Sequence, residues 1–384
     1  MTSTFHLLTG EYPPETGGVG DYTRLVARGL AARGANVHVW CPFTTSHVEG
    51  RLHVHQLPDV FGWGSRRMLE SAFLDARGCV ILQYVPNALG ARGANVAFCL
   101  WLLRMRRRSH DISVMFHEPY FYFAPHRSYR IVTQNALAAV QRVMAALLIR
   151  GSRIGYISTS AWVRYLRPFG SCPLVESPIP ATIATSAPAP SVARWRHRFN
   201  GGYDDLPVVG HFGTFGDHVG RELMDLLPAV LHTPATSRVV LIGQGGEAFA
   251  SAFALRHAGL GGRVSATGRL SDTDAAAALR ACDLVVQPYP DGVTTRRTSV
   301  MAALANQVAV VTTDGELTEP VWRESGAVRL APASEPGALA DAAAALLHDD
   351  PAKAALAAAG RRLYDARFAI EHTLDALLDV RPAA

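Results

Sequence analysis

The chain has 384 residues, too many for one ordinary α/β core, so two domains are the default expectation. Hydrophobic residues make up 49% and charged residues 18%, a balance that excludes a disordered or fibrous chain. The formal net charge of +5 favours anionic partners such as nucleotide phosphates or a lipid surface, without selecting one.

The opening MTSTFHLLTGEYPP carries no basic leader before its acid and prolines. No apolar run reaches the roughly 18 to 20 residues that span a bilayer. A cytoplasmic location is the expectation. FHLL reads as a strand running into the turn-rich EYPPETGGVG, then a helix from about Asp21, with Asp21 as its N-cap, to Arg33. NVHVWC follows as a strand, and CVILQYV and ISVMFHE read as buried strands. Between those two, NVAFCLWLLRMRRR is an amphipathic helix whose closing arginines suit the negative end of its dipole. It could dock weakly on anionic lipid, but a core-packed helix with a solvated basic end is preferred. RIGYIST is a further strand.

Residues 176–191, ESPIPATIATSAPAPS, lack periodicity and mark a linker, placed at 181–204 between a first domain (1–180) and a second (205–363). Strand and helix then alternate again through VVGHFGTFG, RVVLIGQGG, RVSATGRL, DLVVQPYPDG, VAVVTTDG and AVRLAP, before Ala-rich helices close the chain. This is the pattern of two parallel sheets wrapped by helices. Ligands of such sheets bind beyond the carboxyl ends of strands, so the site is expected in a cleft between two facing domains.

The strand-end loops carry the candidate chemistry. Gly17, Gly18 and Gly20 precede a helix, where backbone can approach an anion closely. PYPDGVTTRRTS offers Arg296 and Arg297 followed by Thr298 and Ser299 at a helix start, a competent pyrophosphate clamp. His117 and Glu118 end a buried strand and can titrate or hydrogen-bond sugar hydroxyls, and Tyr84 and Asn87 in QYVPN could grip a sugar ring. IGQGGEA resembles a dinucleotide fingerprint but lacks the ribose-binding acid on the next strand, which disfavours NAD; no P-loop occurs. The five cysteines are dispersed without a CxxC pair, no HExxH occurs, and the pair His53 and His55 fits a strand surface, so no metal is expected.

Taken together, EYPPETGGVGDY, GHFGTFG, LIGQGG, TGRLSDTDAAAALRACDLVVQPY and MAALANQVAVVTTDG resemble the retaining GT-B glycosyltransferases of the large group 1 family, glycosyltransferase family four. The resemblance spans nearly the whole chain. It implies an α/β GT-B fold of two Rossmann-like domains, with a final segment, 364–384, crossing back to the first. It implies a nucleotide-diphosphate sugar as donor, no cofactor, and a small-molecule, glycan or lipid-linked acceptor; no nucleic acid is expected as partner. The GGVG loop would meet donor phosphate or acceptor, and His117 the donor sugar. Gly268, Arg269 and Leu270 look like the family's nucleobase contact, with Gly213 and Gly243 in the neighbouring donor loops.

The departures concern charge. The family's two glutamates, with seven residues between them, align without gaps on Thr294 and Ala302, or with a shifted loop on Asp291 and Ser299. Its usual Arg and Lys are replaced in GTFGDHVG by Thr214 and His218, so Arg296 and Arg297 are expected to supply the missing phosphate charge. A phosphorylase of the same architecture needs a Schiff-base lysine, and the sole lysine, Lys353, lies in the helical tail. A nucleotide-sugar epimerase and a non-catalytic sugar-nucleotide binder are the remaining alternatives.

Overall fold

A computed structural model describes residues 3–15, 17–108, 110–123, 129–203, 206–232, 237–335 and 337–379; of residues 129–131, 217 and 218 only the backbone is described. The chain forms two compact units, one of residues up to Pro178 with those from Ile370 onward, the other Ile179–Ala369.

In the first unit, β1 (Thr4–Leu8), β2 (Asn36–Cys41), β3 (His47–Glu49), β4 (Leu52–Gln56), β5 (Cys79–Tyr84), β6 (Asp111–Phe116), β7 (Gly155–Ile157) and β8 (Leu174–Glu176) form one sheet. Its order is β3-β4-β2-β1-β5-β6-β7-β8, parallel except for the β3–β4 pair. Every residue of β5 is buried, as expected when helices cover both faces of a parallel sheet. The main helices are α1 (Gly18–Ala32), α2 (Trp63–Asp75), α3 (Val96–Arg107) and α4 (Tyr129–Gly151).

The basic helix α3 is capped by Asn95, whose side chain accepts from the Phe98 amide at 3.1 Å. Phe98, Trp101, Leu102 and Met105 are buried, so its apolar face belongs to the core. Helix α4 departs from the sequence reading. Its Val132–Gly151 stretch has mean hydropathy 1.3 and is long and apolar enough to cross a membrane by length and composition. Thr133, Gln134, Asn135, Gln141 and Arg142 break the run in the sequence. Here it lies along α3 with Ala138, Met144, Leu148 and Ile149 buried, and its buried Gln141 accepts from the Phe121 amide at 2.9 Å. Only 33% of that stretch is buried, and Val132 and Val143 are exposed, so the helix packs along one face.

Register across β1, β2 and β4 sets His6 beside His38 and His38 beside His53. Their rings stack at 5.1 and 5.0 Å, and His55 stacks on Trp40 at 4.1 Å. The Trp40 indole donates to His6 Nδ1 at 3.2 Å, so His6 is neutral and its Nε2 donates to the Ala76 carbonyl at 2.7 Å. Burial lowers the His6 and His55 pKa values to about 4. All five cysteines are free, four of them buried.

In the second unit, β9 (Val208–Phe212), β10 (Arg238–Ile242), β11 (Val264–Ala266), β12 (Leu284–Gln287), β13 (Ala309–Asp314) and β14 (Arg329–Pro332) form a parallel sheet ordered β11-β10-β9-β12-β13-β14. Val208, Val240, Val285 and Val310 enter the core on one face; Val209, Val239, Leu284 and Val311 enter that on the other. Period-2 alternation therefore buries both faces.

Two expected boundaries shift. The stretch 181–204, read as linker, contains the helix Ala189–Asn200, whose Trp195 and Phe199 are buried in the second unit's core. Its apolar residues are four apart, a spacing the flanking Pro/Ser/Ala composition obscured. The closing segment also divides: Tyr364 and Phe368 pack in the second unit, and the last helix, Ile370–Asp379, packs on α1 in the first. Leu374 sits where a Cβ on Gly29 would be, and Arg33 pairs with Asp375.

Candidate functional site

Each sheet reverses its winding once, between β1 and β5 in the first unit and between β9 and β12 in the second. At such switch points neighbouring loops leave in opposite directions and open a crevice beyond the strand ends. The candidate residues cluster at both.

In the second unit, β12 delivers the loop from Pro288 to Arg297, which enters the helix Thr298–Ala305. Asp291 binds both arginines: Arg296 at 3.0 Å through one oxygen, and Arg297 through the other. Two guanidiniums on one carboxylate leave one positive charge in excess. The Arg297 guanidinium also lies 4.2 Å from the Tyr289 ring centre, a cation–π contact, and its buried Nε has no hydrogen-bond partner. Burial, and then the charge of Arg296, lower the Arg297 pKa. The Tyr289 hydroxyl lies 2.6 Å from Ser299 Oγ and donates to Gln287 at 3.2 Å; the Gln287 amide donates to the Phe212 carbonyl at 2.9 Å, tying β12 to β9. Thr298 and Ser299 begin the helix, where backbone amides lack intrahelical acceptors.

Glu319 was not singled out in the sequence. It is buried and accepts from the Thr295 amide at 2.6 Å, the Thr295 hydroxyl at 2.7 Å and the Trp322 indole at 3.1 Å. It holds the backbone on which the arginines stand. Thr294 and Ala302, at the aligned glutamate positions, are both buried and neutral. Asp291 is thus the acid of this loop, and it anchors the arginines.

Around β9, His211 donates from Nδ1 to the Val286 carbonyl at 3.0 Å, and burial lowers its pKa to about 4. Gly213 follows it, with Thr214 exposed; the side chain of His218 lies outside the described residues. Gly243 pairs with Gly268 in an isolated bridge, and a Cβ on Gly243 would fall 2.2 Å from the Gly213 carbonyl oxygen. The sequence assigned Gly243 to the donor, but this glycine is required by the packing of one strand-end loop on another. Its φ of +133° adds strain for any other residue. Gly243→Ala is expected to destabilise the protein by about 3 kcal/mol or more, measured by urea unfolding. Wild-type stability would show that the two loops part readily. Gly268 is buried at φ +66°, Arg269 is exposed, and Leu270 packs on the core, leaving backbone as the main contact surface of that turn.

In the first unit, His117 follows β6 and is buried. Its Nε2 lies 2.8 Å from Gln83 Oε1, so Nε2 carries a proton and donates to that oxygen. Burial lowers its pKa to about 3. The Tyr22 ring stands edge-on at 5.1 Å, and the Trp162 indole donates to the His117 carbonyl at 3.1 Å. The expected titration of His117 is therefore corrected: at neutral pH it is a fixed neutral imidazole that can only exchange hydrogen bonds. Glu118 beside it is half-buried. Tyr84 is wholly buried against Phe116, so the expected grip on a sugar ring is closed to it, whereas Asn87 is exposed in the turn after β5.

The GGVG loop also differs from expectation. Asp21 is not the N-cap; Gly17 holds that position, and the Glu11 carboxylate accepts from the amides of Val19 at 2.8 Å and Gly20 at 3.0 Å. The anion at this helix start comes from the chain itself, so those two amides are not open to a ligand phosphate. A Cβ on Gly17 would lie 2.3 Å from that carboxylate, while one on Gly18 would meet nothing. Glycine at 17 thus accommodates Glu11, and Gly18 alone leaves open space. Glu11→Ala removes a charge-assisted cap and is expected to cost about 1 to 3 kcal/mol, measured by chemical denaturation, with Glu11→Gln losing less. No change in stability would show that the cap is dispensable. Among the described residues, no group of three or more His, Cys, Asp or Glu could hold a metal ion.

Residues 207–349 match the family model for group 1 glycosyl transferases. No curated protein matches the chain in sequence. Among solved structures, a sucrose-phosphate synthase from Thermosynechococcus elongatus is similar at a TM-score of 0.76 with 16% identity, covering 98% of each chain. Anabaena HepE, solved with UDP and glucose, is similar at 0.71 with 15% identity over 98% of each chain. WaaG, a glycosyltransferase involved in lipopolysaccharide biosynthesis, is similar at 0.65 with 15% identity, covering 97% of this chain and 99% of its own. At such identities the likeness is one of fold, and it is the GT-B fold of two parallel-sheet domains. The arginine loop lies inside the segment of the second unit that is similar to group 1 glycosyl transferases, and the chain has the GT-B fold.

Proposed function

We propose that the protein transfers a hexose from a UDP-sugar to an acceptor hydroxyl, with retained anomeric configuration and without a metal ion. One observation carries the reading: two guanidiniums held by Asp291 beside the start of the helix Thr298–Ala305, within the matched domain. Anabaena HepE, of the same fold, was solved with UDP-glucose, which supports uridine as the donor base.

In this mechanism the donor diphosphate lies on Arg296, Arg297 and the amides of Thr298 and Ser299. Negative charge grows on the diphosphate as its bond to the sugar breaks, and positive groups already in position stabilise that charge without reorganising. This fixed charge is the support for metal independence. The departing phosphate oxygen takes the acceptor proton on the face it leaves, which gives retention without a protein nucleophile. The backbone of Gly268–Leu270 holds the base. His117 orders sugar hydroxyls as a neutral partner, and Glu118 and Asn87 meet the acceptor.

A thermal-shift screen across UDP-, GDP-, ADP- and dTDP-sugars tests the donor, because a ligand bound to the folded state raises Tm. UDP-sugars should give the largest shift, and NMR of the product should show the donor's anomeric configuration, with turnover undiminished in EDTA. Absence of any shift with UDP-sugars, or an inverted product, would overturn the reading. A second reading, a binder without catalysis, is favoured by the buried, neutral Thr294 and Ala302. Slow hydrolysis of bound donor distinguishes the two, since a pure binder shows none.

A further inference from the structure

We propose that the first unit carries a second site, for a small phosphorylated metabolite, at the opposite end of its sheet from His117. A cavity of about 740 Å³ opens there, between the ends of α2 and α3. That volume suits a ligand of sugar-phosphate or nucleotide size. Its wall includes Arg77, from the turn after α2, and Arg106 and Arg108, from the end of α3. None of the three has an ion pair or a side-chain hydrogen bond among the described residues. A fourth arginine, Arg153, is already held by Asp111 at 2.6 Å, and the other carboxylate, Glu70, accepts from the Trp101 indole at 2.6 Å.

Four guanidiniums against two carboxylates leave an excess of two positive charges, which a phosphate dianion neutralises. Burial, and then the charges of Arg77 and Arg108, lower the pKa of His110, another wall residue. Phe73, Val80 and Met105 supply an apolar side for the carbon skeleton of a ligand. Arginines at the end of α3 complement its dipole, but Arg77 belongs to no helix, and dipole compensation does not explain it. Asp111 opens β6 and His117 follows its last residue, so the two ends lie about 17 Å apart along the strand. A ligand here would act as an effector of the enzyme, separate from its substrates.

Titration calorimetry on the whole protein at low salt tests this with glucose 6-phosphate, inorganic phosphate and glucose as probes. Glucose 6-phosphate and phosphate should bind, the former more tightly, and glucose should not. The double variant Arg77→Ser/Arg108→Ser changes two exposed side chains, so its Tm and its transfer activity without effector should match wild type. Its affinity for glucose 6-phosphate should fall at least tenfold. Equal affinity in the variant would place the binding elsewhere and overturn the proposal, as would no binding of either phosphate at 10 mM-scale concentrations, on the order of the weakest useful affinity. Sedimentation with phosphatidylglycerol vesicles that the variant loses, without binding of soluble phosphates, would assign these arginines to a lipid surface and overturn it too.

Discussion

Replacing Arg296 and Arg297 together with alanine is expected to lower kcat about 1,000-fold or more while the protein stays folded. Removing a single preorganised donor from a developing anion costs roughly 100- to 1,000-fold in kcat. The double variant removes both charged donors proposed for the diphosphate. Its cost in stability should be small, because Asp291 is 30% exposed and can be rehydrated once its partners are gone. The Arg297→Lys variant separates charge from geometry. A lysine keeps the charge but not the planar fork that reaches Asp291 and lies over Tyr289, so it should recover only part of the activity. Steady-state kinetics with a fixed UDP-sugar, alongside circular dichroism, make the measurement. Undiminished turnover in the double alanine variant would remove the clamp from the mechanism.

Stability should fall steeply with acid, over a window that the buried histidines define. His6 and His211 have pKa values lowered to about 4, and His117 to about 3, each chiefly by burial. In the unfolded chain these imidazoles titrate near 6.5. Above that pH neither state binds the proton and the full stability is present. As the pH falls from about 6.5 toward 4, the unfolded state takes up protons that the folded state refuses, and stability is lost. Each of the three contributes about 3 to 5 kcal/mol across its window. That is comparable with the whole stability of many domains, roughly 5 to 15 kcal/mol. Unfolding free energy measured by urea titration between pH 7.5 and 4.5 should therefore drop sharply. His211→Gln, which keeps a donor for the Val286 carbonyl, should flatten the slope by about one proton. A flat profile between pH 6.5 and 4.5 would mean that these rings are protonated in the folded state.

Much of the architecture is legible in residue order. Runs such as CVILQY and AVVTTD are short, apolar and separated by helical stretches, and they became buried strands of two parallel sheets. The strand-end positions of His117, Asp291 and the Arg296–Arg297 pair follow from the same alternation, because a loop's place at the carboxyl end of a parallel strand is a local matter. Helix α4 and the helix Ala189–Asn200 were hidden for a local reason as well: polar residues and prolines interrupt or flank their apolar faces.

What those loop residues touch was decided elsewhere. Glu11 takes the amides that an open GGVG loop would have offered to a phosphate. Gln83 fixes the tautomer of His117 from 34 residues away, and Glu319 holds the arginine loop from 24 residues further along the chain. Hydrophobic period and turn chemistry report where the backbone goes over a few residues at a time. Which carboxylate reaches which amide, and which imidazole loses its water, depends on strand order and on how crossover helices bring distant segments together. Burial then sets the charge of each group, and burial is a property of the assembled core.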